Sequence, residues 1–135
     1  MMSASTYISA VTATLTKFNG FDTTDYTTGT IGFTSGSTAT VPSIGVYLVT
    51  CEMTFDSTAT GTFNEIYIYK NGTTVFGRKR DVSYVSTIMY VTTSAQMRLA
   101  ANDTLEIYVN QVSGFNLHVG TISGSTARLE ITKMF

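Results

Sequence analysis

Residues 66–76 read IYIYKNGTTVF, and this stretch decides between helix and sheet. Side chains of an extended chain alternate between faces, so Ile66 and Ile68 share one side while Tyr67 and Tyr69 share the other. Asn71-Gly72 follows, and these two residues supply the positive φ angles that a two-residue type I′ turn demands. The stretch is therefore a β-hairpin with one aliphatic and one aromatic face. The isoleucines belong to a core. The tyrosines raise a question: soluble monomers keep contiguous exposed apolar patches small, so something must cover the second face.

The same alternation extends in both directions. GVYLVTCEMTF (45–55) places Tyr47, Val49, Cys51, Met53 and Phe55 on one side, and Val46, Leu48, Thr50, Glu52 and Thr54 on the other. The first set reads as core. TLEIYVN (104–110) points Leu105, Ile107 and Val109 inward and Glu106, Tyr108 and Asn110 outward, after turn chemistry at Asn102-Asp103. ARLEITKM (127–134) does likewise, with Ala127, Leu129 and Ile131 inward and Arg128, Glu130 and Thr132 outward. Further strands are expected at 7–15, 30–41, 84–93, 95–100 and 115–122. Apolar residues at helical spacing fill no window of ten or more residues, so no helix is expected. Roughly ten strands suit a two-sheet antiparallel sandwich better than one open sheet. The chain reads as a single domain, 1–135, in which residues 1–17 are either an N-terminal arm or a first strand.

A chain of 135 residues buries about two-thirds of the surface its unfolded form exposes, enough for a core without a disulfide or a metal. Cys51 is the only cysteine and cannot form an internal bridge, so nothing points to an oxidising compartment. The opening MMSASTYISA lacks a basic segment ahead of an apolar run, and no stretch reaches membrane-spanning length, so synthesis in a cytoplasm and no membrane contact are expected. Charged residues make up 13% of the chain and the net charge is −1, roughly half the usual charged share. Threonine, roughly a fifth of the residues, covers the wet faces instead. With no overall positive charge, nucleic-acid binding is not expected.

The order of the pieces resembles a known family. VPSIGVYLVTCEMTF (41–55), IYIYKNGT (66–73), MRLAANDTLEIYV (97–109) and GSTARLEITKMF (124–135) follow one another as in the jelly roll shared by complement globular heads and the tumour necrosis factor superfamily. In that family a proline and a glycine-tyrosine pair open a central strand, as Pro42, Gly45 and Tyr47 do here. A lysine-asparagine-glycine hairpin follows, as at Lys70 to Gly72, and then a leucine ahead of an aspartate turn, as at Leu99, Asn102 and Asp103. Asn102 stands where the family more often has glycine, and the ending ITKMF is not the usual one. The resemblance covers about residue 18 to the C-terminus. It implies ten strands in two sheets and a tight homotrimer whose inner sheet faces the threefold axis. It further implies that Tyr67, Tyr69, Glu106, Tyr108, Arg128, Glu130 and Thr132 lie on that inner sheet under neighbouring subunits, where aromatics are favoured. The alternative is a monomer whose tyrosines are partly exposed.

Animal members of the family carry a collagen-like stalk or a membrane anchor, and no Gly-X-Y repeat occurs here. A compact, threonine-rich, cysteine-poor trimer looks more like a bacteriophage or other viral structural protein, in which the same jelly roll serves head decoration and fibre tips. The expectation is a homotrimeric capsid decoration (cement) protein on the outside of a phage head, with the major capsid protein as partner and the virion as location. Tyr7, Ile8 and Val11 would belong to its attachment arm. The alternative is a tail-tip adhesin that binds a receptor or a host-surface glycan.

No catalytic constellation is present, and neither an enzyme nor a cofactor is expected. The single histidine, His118, alternates with Leu117 and Val119 in a strand, no serine lies in a G-x-S-x-G elbow, and Cys51 falls on an apolar face as a small buried hydrophobe. Asp22 and Asp25 do not make the six to eight oxygen ligands that calcium takes, so no metal site is expected. Asn71-Gly72-Thr73 and Asn102-Asp103-Thr104 match the glycosylation pattern, but turn chemistry already explains both. The one charge run is GRKRD (77–81). Arg78, Lys79 and Arg80 are candidates to contact an acidic capsid surface or a phosphorylated glycan. Otherwise they form a solvated loop balanced by Asp81.

Overall fold

The structure is a computed structural model that describes residues 1–4, 7–24, 31–34, 36–56, 62–83, 87–122 and 124–135. Asp25 and parts of the strands expected at 30–41 and 84–93 lie outside these residues. Among the described residues the chain forms thirteen strands and no helix. The first seven are β1 (Met2–Ser3), β2 (Tyr7–Ala10), β3 (Thr16–Lys17), β4 (Thr23–Thr24), β5 (Gly32–Thr34), β6 (Thr38–Thr40) and β7 (Gly45–Phe55). The rest are β8 (Phe63–Lys70), β9 (Thr74–Val82), β10 (Met89–Leu99), β11 (Thr104–Gln111), β12 (Leu117–Gly120) and β13 (Arg128–Lys133). The excess over ten comes from two-residue strands such as β1, β3 and β4, too short for alternation to reveal.

The strands form two antiparallel sheets. In the first, β7 lies between β10 on one side and β13 and β12 on the other; β2 flanks β12, and β1 and β4 extend beyond β13. The second runs β5-β6-β11-β8-β9, and β3 also pairs with β11. The inward sets read from the sequence meet between the sheets. Tyr47, Val49, Cys51, Met53 and Phe55 face Ile66, Ile68, Leu105, Ile107 and Val109 across the sandwich, and all are buried. Leu129, Ile131 and Ala127 join them. Burial of each large side chain contributes about 1.5–3 kcal/mol, so the central strands dominate stability. The Tyr47 hydroxyl keeps a partner inside this core by donating to the Ser43 carbonyl at 2.8 Å.

Turn chemistry falls where the sequence places it. Asn71 and Gly72 have φ of 52° and 68°, and the Thr73 N–H donates to the Lys70 carbonyl at 3.1 Å, closing the hairpin. Asn102 also sits at positive φ, 68°, a conformation that asparagine tolerates better than most residues. The two turns are laced together. Asn71 Nδ2 donates to Asp103 Oδ1 and the Thr104 N–H donates to Asn71 Oδ1, both at 2.8 Å, while Lys70 pairs with Asp103 at 2.7 Å.

Three boundaries differ from expectation. The strands expected at 84–93 and 95–100 are, over the described residues, the single strand β10, paired without interruption from Met89↔Phe55 to Leu99↔Gly45. Thr93 and Ser94 are strand residues opposite Cys51 and Thr50, not a turn. The strand expected at 7–15 stops at Ala10, and the chain turns through Ala13 at φ 54° before β3. Within residues 1–17, Met2–Ser3, Tyr7–Ala10 and Thr16–Lys17 are strand. Met2, Ala4 and Ala10 are buried in the core, β1 pairs with β13 through Met2↔Leu129, and β2 pairs with β12 through Ile8↔Val119.

Candidate functional site

A sandwich that buries its inner faces offers partners its two outward faces. On the β8 sheet the outward residues fall into rows across three strands. Pairing aligns Tyr108, Tyr67 and Arg78 in one row, Asn110, Glu65 and Arg80 in the next, and Glu106, Tyr69 and Val75 in a third. A bulge between Ile68 and Tyr69 sets this register. Gly77 at the bulge leaves little room for a side chain, since a Cβ there would meet Ile68 at 3.0 Å and Ala95 at 3.2 Å.

Glu65 is the hub of these rows. Its side chain is 1% exposed, and its Oε1 accepts from Arg78 Nη2 at 2.8 Å and from Arg80 Nε, while Oε2 accepts from the Tyr67 hydroxyl. Arg78 lies over the Tyr67 ring at 5.3 Å and Arg80 over the Phe63 ring at 3.9 Å, both within cation–π range. Burial pushes the Glu65 carboxyl up, but the hydrogen bonds from Tyr67, Arg78 and Arg80 outweigh it and hold the group below its ordinary range. The phenol of Tyr67 moves the other way, raised by burial and by the neighbouring carboxylate.

A second network closes the far side of this face. Lys17 on β3 pairs with Glu106 at 2.8 Å, and Tyr108 donates to Glu106 Oε2 at 3.4 Å. Tyr69 packs on Tyr108 with ring centroids 4.6 Å apart. Burial and the Glu106 carboxylate raise the Tyr108 phenol. The tyrosines are thus covered from within the subunit by charged side chains at cross-strand positions.

The β7 sheet presents a different outward face. Leu48 (38% exposed) and Tyr90 (60% exposed) stand on it, with Glu52, Arg98, Arg128 and Glu130 at other outward positions. Leu48 is flanked by Gln96 on β10 and Thr132 on β13, and Thr50 by Ser94 and Glu130. Beside Tyr90 lies a shallow cavity of about 240 Å³ lined by Glu52, Thr54, Thr92, Ser125 and Thr126.

These placements correct one expectation. Tyr67, Tyr69, Glu106 and Tyr108 lie on the β8 sheet, whereas Arg128, Glu130 and Thr132 lie on the β7 sheet. The seven residues therefore face opposite ways, and no single sheet facing an axis can hold them all. The cause is topological: β13 pairs with β7, not with β11 or β8.

The basic run is also relocated. Arg78, Lys79 and Arg80 are in strand β9, not in a loop. Alternation sends Arg78 and Arg80 to Glu65 and leaves Lys79 to pair with Asp81 at 3.1 Å. Sequence reasoning missed Glu65 as their partner, although an acid two residues before Tyr67, across a hairpin from two arginines, was a usable signal. Of the residues assigned to an arm, Tyr7 stacks on His118 at 4.0 Å, Ile8 packs against the core, and Val11 is exposed just beyond β2. His118 is a surface strand residue as read, with its Nδ1 3.6 Å from Asp56. Cys51 is buried, and burial pushes its thiol far up. Among the described residues no three histidine, cysteine or acidic side chains cluster as metal ligands would.

No family model matches the sequence. No curated protein is similar to it in sequence. Among solved structures, the fold is similar to the Eiger TNF of S. frugiperda with a TM-score of 0.70, over 100% of this chain and 94% of that one, at 13% identity. At such identity the likeness concerns the fold alone. The molecule has an all-β, tumour necrosis factor-like jelly-roll fold.

Proposed function

We propose that this chain is a non-enzymatic structural protein that assembles as a homotrimer through the outward face of its β7 sheet and decorates the outside of a viral head, bound to the major capsid protein. The observation that carries the reading is the contrast between the two outward faces. The β8 face ties Glu65, Glu106, Lys17, Arg78 and Arg80 into ion pairs within the subunit, whereas the β7 face exposes Leu48 and Tyr90 with no charged residue directly opposite either, its charges Glu52, Arg98, Arg128 and Glu130 standing at other outward positions. A threonine-rich surface with few charges suits packing against a protein shell. Light scattering at micromolar concentration should give a mass near three times 14.6 kDa. Leu48→Asp combined with Tyr90→Asp should yield folded monomers, because carboxylates in a desolvated interface cost several kcal/mol. A monomeric parent protein, or an unchanged mass in the double variant, would reject the assembly. Labelling of virions should mark the head surface.

A second reading has its own support. Arg78 and Arg80 are half-exposed on the β8 face, which favours recognition of an anionic group, as a tail-tip adhesin would use. Label confined to the tail would select it.

A further inference from the structure

The Glu65 cluster carries an unbalanced charge: two guanidinium groups share one carboxylate, leaving one net positive charge. The arrangement also leaves donors unused. Arg80 binds Glu65 through Nε, so its two terminal nitrogens have no partner among the described residues. Arg78 reaches Glu65 with Nη2 alone. Side-chain exposures of 50% for Arg78 and 46% for Arg80 place the remaining N–H groups toward solvent. The two arginines stand two residues apart on the same face of β9, opposite Tyr67 and Glu65, a repeat of about 7 Å. Both guanidinium groups converge on Glu65 Oε1 from these positions, so an oxyanion would sit on their solvent side, against the N–H groups that Glu65 does not use.

These side chains are held ready. Arg80 rests on Phe63 and Arg78 on Tyr67, and the buried Glu65 carboxylate fixes both from beneath. An arginine whose rotamer is set by stacking and by a buried acid loses little freedom on binding, and its planar fork matches carboxylate, sulfate and phosphate groups. Next to the pair on the same face lie Tyr69 and the exposed Val75; Phe76, unpaired at the bulge and also exposed, has Lys70 Nζ 6.0 Å from its ring. A sugar ring offers an apolar C–H face for such a shelf and hydroxyls for the tyrosine oxygens.

We propose that Arg78 and Arg80, braced by Glu65, form an oxyanion seat for an acidic saccharide, with the sugar ring on the shelf of Tyr69 and Val75. A nucleic acid is disfavoured because its affinity grows with the number of phosphates neutralised, and a chain of net charge −1 offers one such spot. The seat lies on the sheet opposite the proposed assembly face, so it stays open in a trimer and does not depend on trimer formation.

The test titrates the isotopically labelled full-length protein by NMR with N-acetylneuraminic acid, glucuronic acid, glucose 6-phosphate, neutral glucose, inorganic sulfate and a phosphoserine peptide at matched ionic strength. Acidic sugars should bind saturably and shift the amides of β8 and β9, while glucose should not. Arg80→Gln should weaken binding about tenfold at nearly unchanged melting temperature, since Arg78 and Tyr67 still satisfy Glu65. Glu65→Gln removes the opposing charge but keeps an acceptor for the arginines, and should tighten binding several-fold. A bracing role alone predicts no gain from that variant. No saturable binding by any acidic sugar would overturn the proposal, as would equal binding by sulfate or the phosphopeptide, or binding indifferent to Arg80→Gln. Mass is measured on the same samples, so loss of assembly and loss of binding are read separately.

Discussion

Whether the first residues are part of the sandwich can be tested at Met2. It is 2% exposed in β1, paired to Leu129 of β13 on one side and Thr24 of β4 on the other. Met2→Gln keeps the length of the side chain but places an amide in the core. The variant loses the burial of an apolar side chain, about 1.5–3 kcal/mol, and leaves amide groups that must find partners or cost about 1–3 kcal/mol. Both terms are reduced by the site's position near the chain end, where local shifts let water in, so we expect about 3 kcal/mol in all. For a domain of this size each kcal/mol moves the melting temperature by about 4 °C, which gives a fall of about 12 °C. The assay is thermal unfolding followed by circular dichroism near 215 nm at one fixed protein concentration, because any assembly would make the transition concentration-dependent. Val11→Gln is the control, since Val11 is exposed beyond β2, and it should change stability by no more than about 0.5 kcal/mol. If Met2→Gln melts within about 2 °C of the parent, the segment does not contribute to the core and the arm reading returns.

Three further outcomes are expected. Cys51 should be inert to a thiol reagent in the folded protein and react fully in denaturant, because burial disfavours its thiolate; rapid labelling of the native state would contradict its position. The Glu65 carboxyl is held below its ordinary value of 4.5, so its contribution to stability is complete above that pH and is lost as pH falls through the lower folded value. Melting temperatures should drop on acidification below about 4.5, and Glu65→Gln should flatten that limb; a parallel fall in both proteins would assign the acid sensitivity elsewhere. Gly72 has φ 68° and meets only Glu106 Oε2, at 3.5 Å. Gly72→Val should therefore cost about 1–2 kcal/mol from backbone strain alone, and an unchanged melting temperature would show that the turn relaxes.

The core was legible because it depends on a period of two and on large side chains. Tyr47 to Phe55, Ile66 and Ile68, Leu105 to Val109 and Leu129 to Ile131 all alternate over at least three residues, and each set is buried as read. The hairpin at Asn71-Gly72 was equally plain, since few residues accept positive φ at two successive positions. Strand pairing was not legible. Alternation tells which residues share a face of one strand and nothing about which strand lies alongside; the resemblance implies one sheet for β8, β11 and β13, whereas β13 pairs with β7 in the other. The two-residue strands β1 and β3 escaped for another reason: their pairing is sustained by neighbours far along the chain, Met2 by Leu129 and Lys17 by Tyr108, and two residues carry no period.

The pairing also decides what the tyrosines mean. An aromatic on an outward face signals an interface only if its cross-strand neighbours cannot cover it. Tyr67 has Arg78 on one side and Tyr108 on the other, and Tyr69 has Glu106 beside it and Tyr108 packed against it. Long charged side chains lay their stems over rings and keep their heads in water, and here those heads are tied to Glu65 and Lys17. Leu48 has Gln96 and Thr132 at the same positions, and Tyr90 has Thr54. None of these carries a charged group, and the threonines are too short to cover a large neighbour. A second subunit centred on Leu48 and Tyr90 would therefore gain apolar burial, and would meet Glu52, Arg98, Arg128 and Glu130 at other positions of the same face. The same approach to the β8 face would have to desolvate Arg78, Arg80 and Lys17, a cost that a small anionic ligand meets with charge of its own and a threonine-rich protein surface does not.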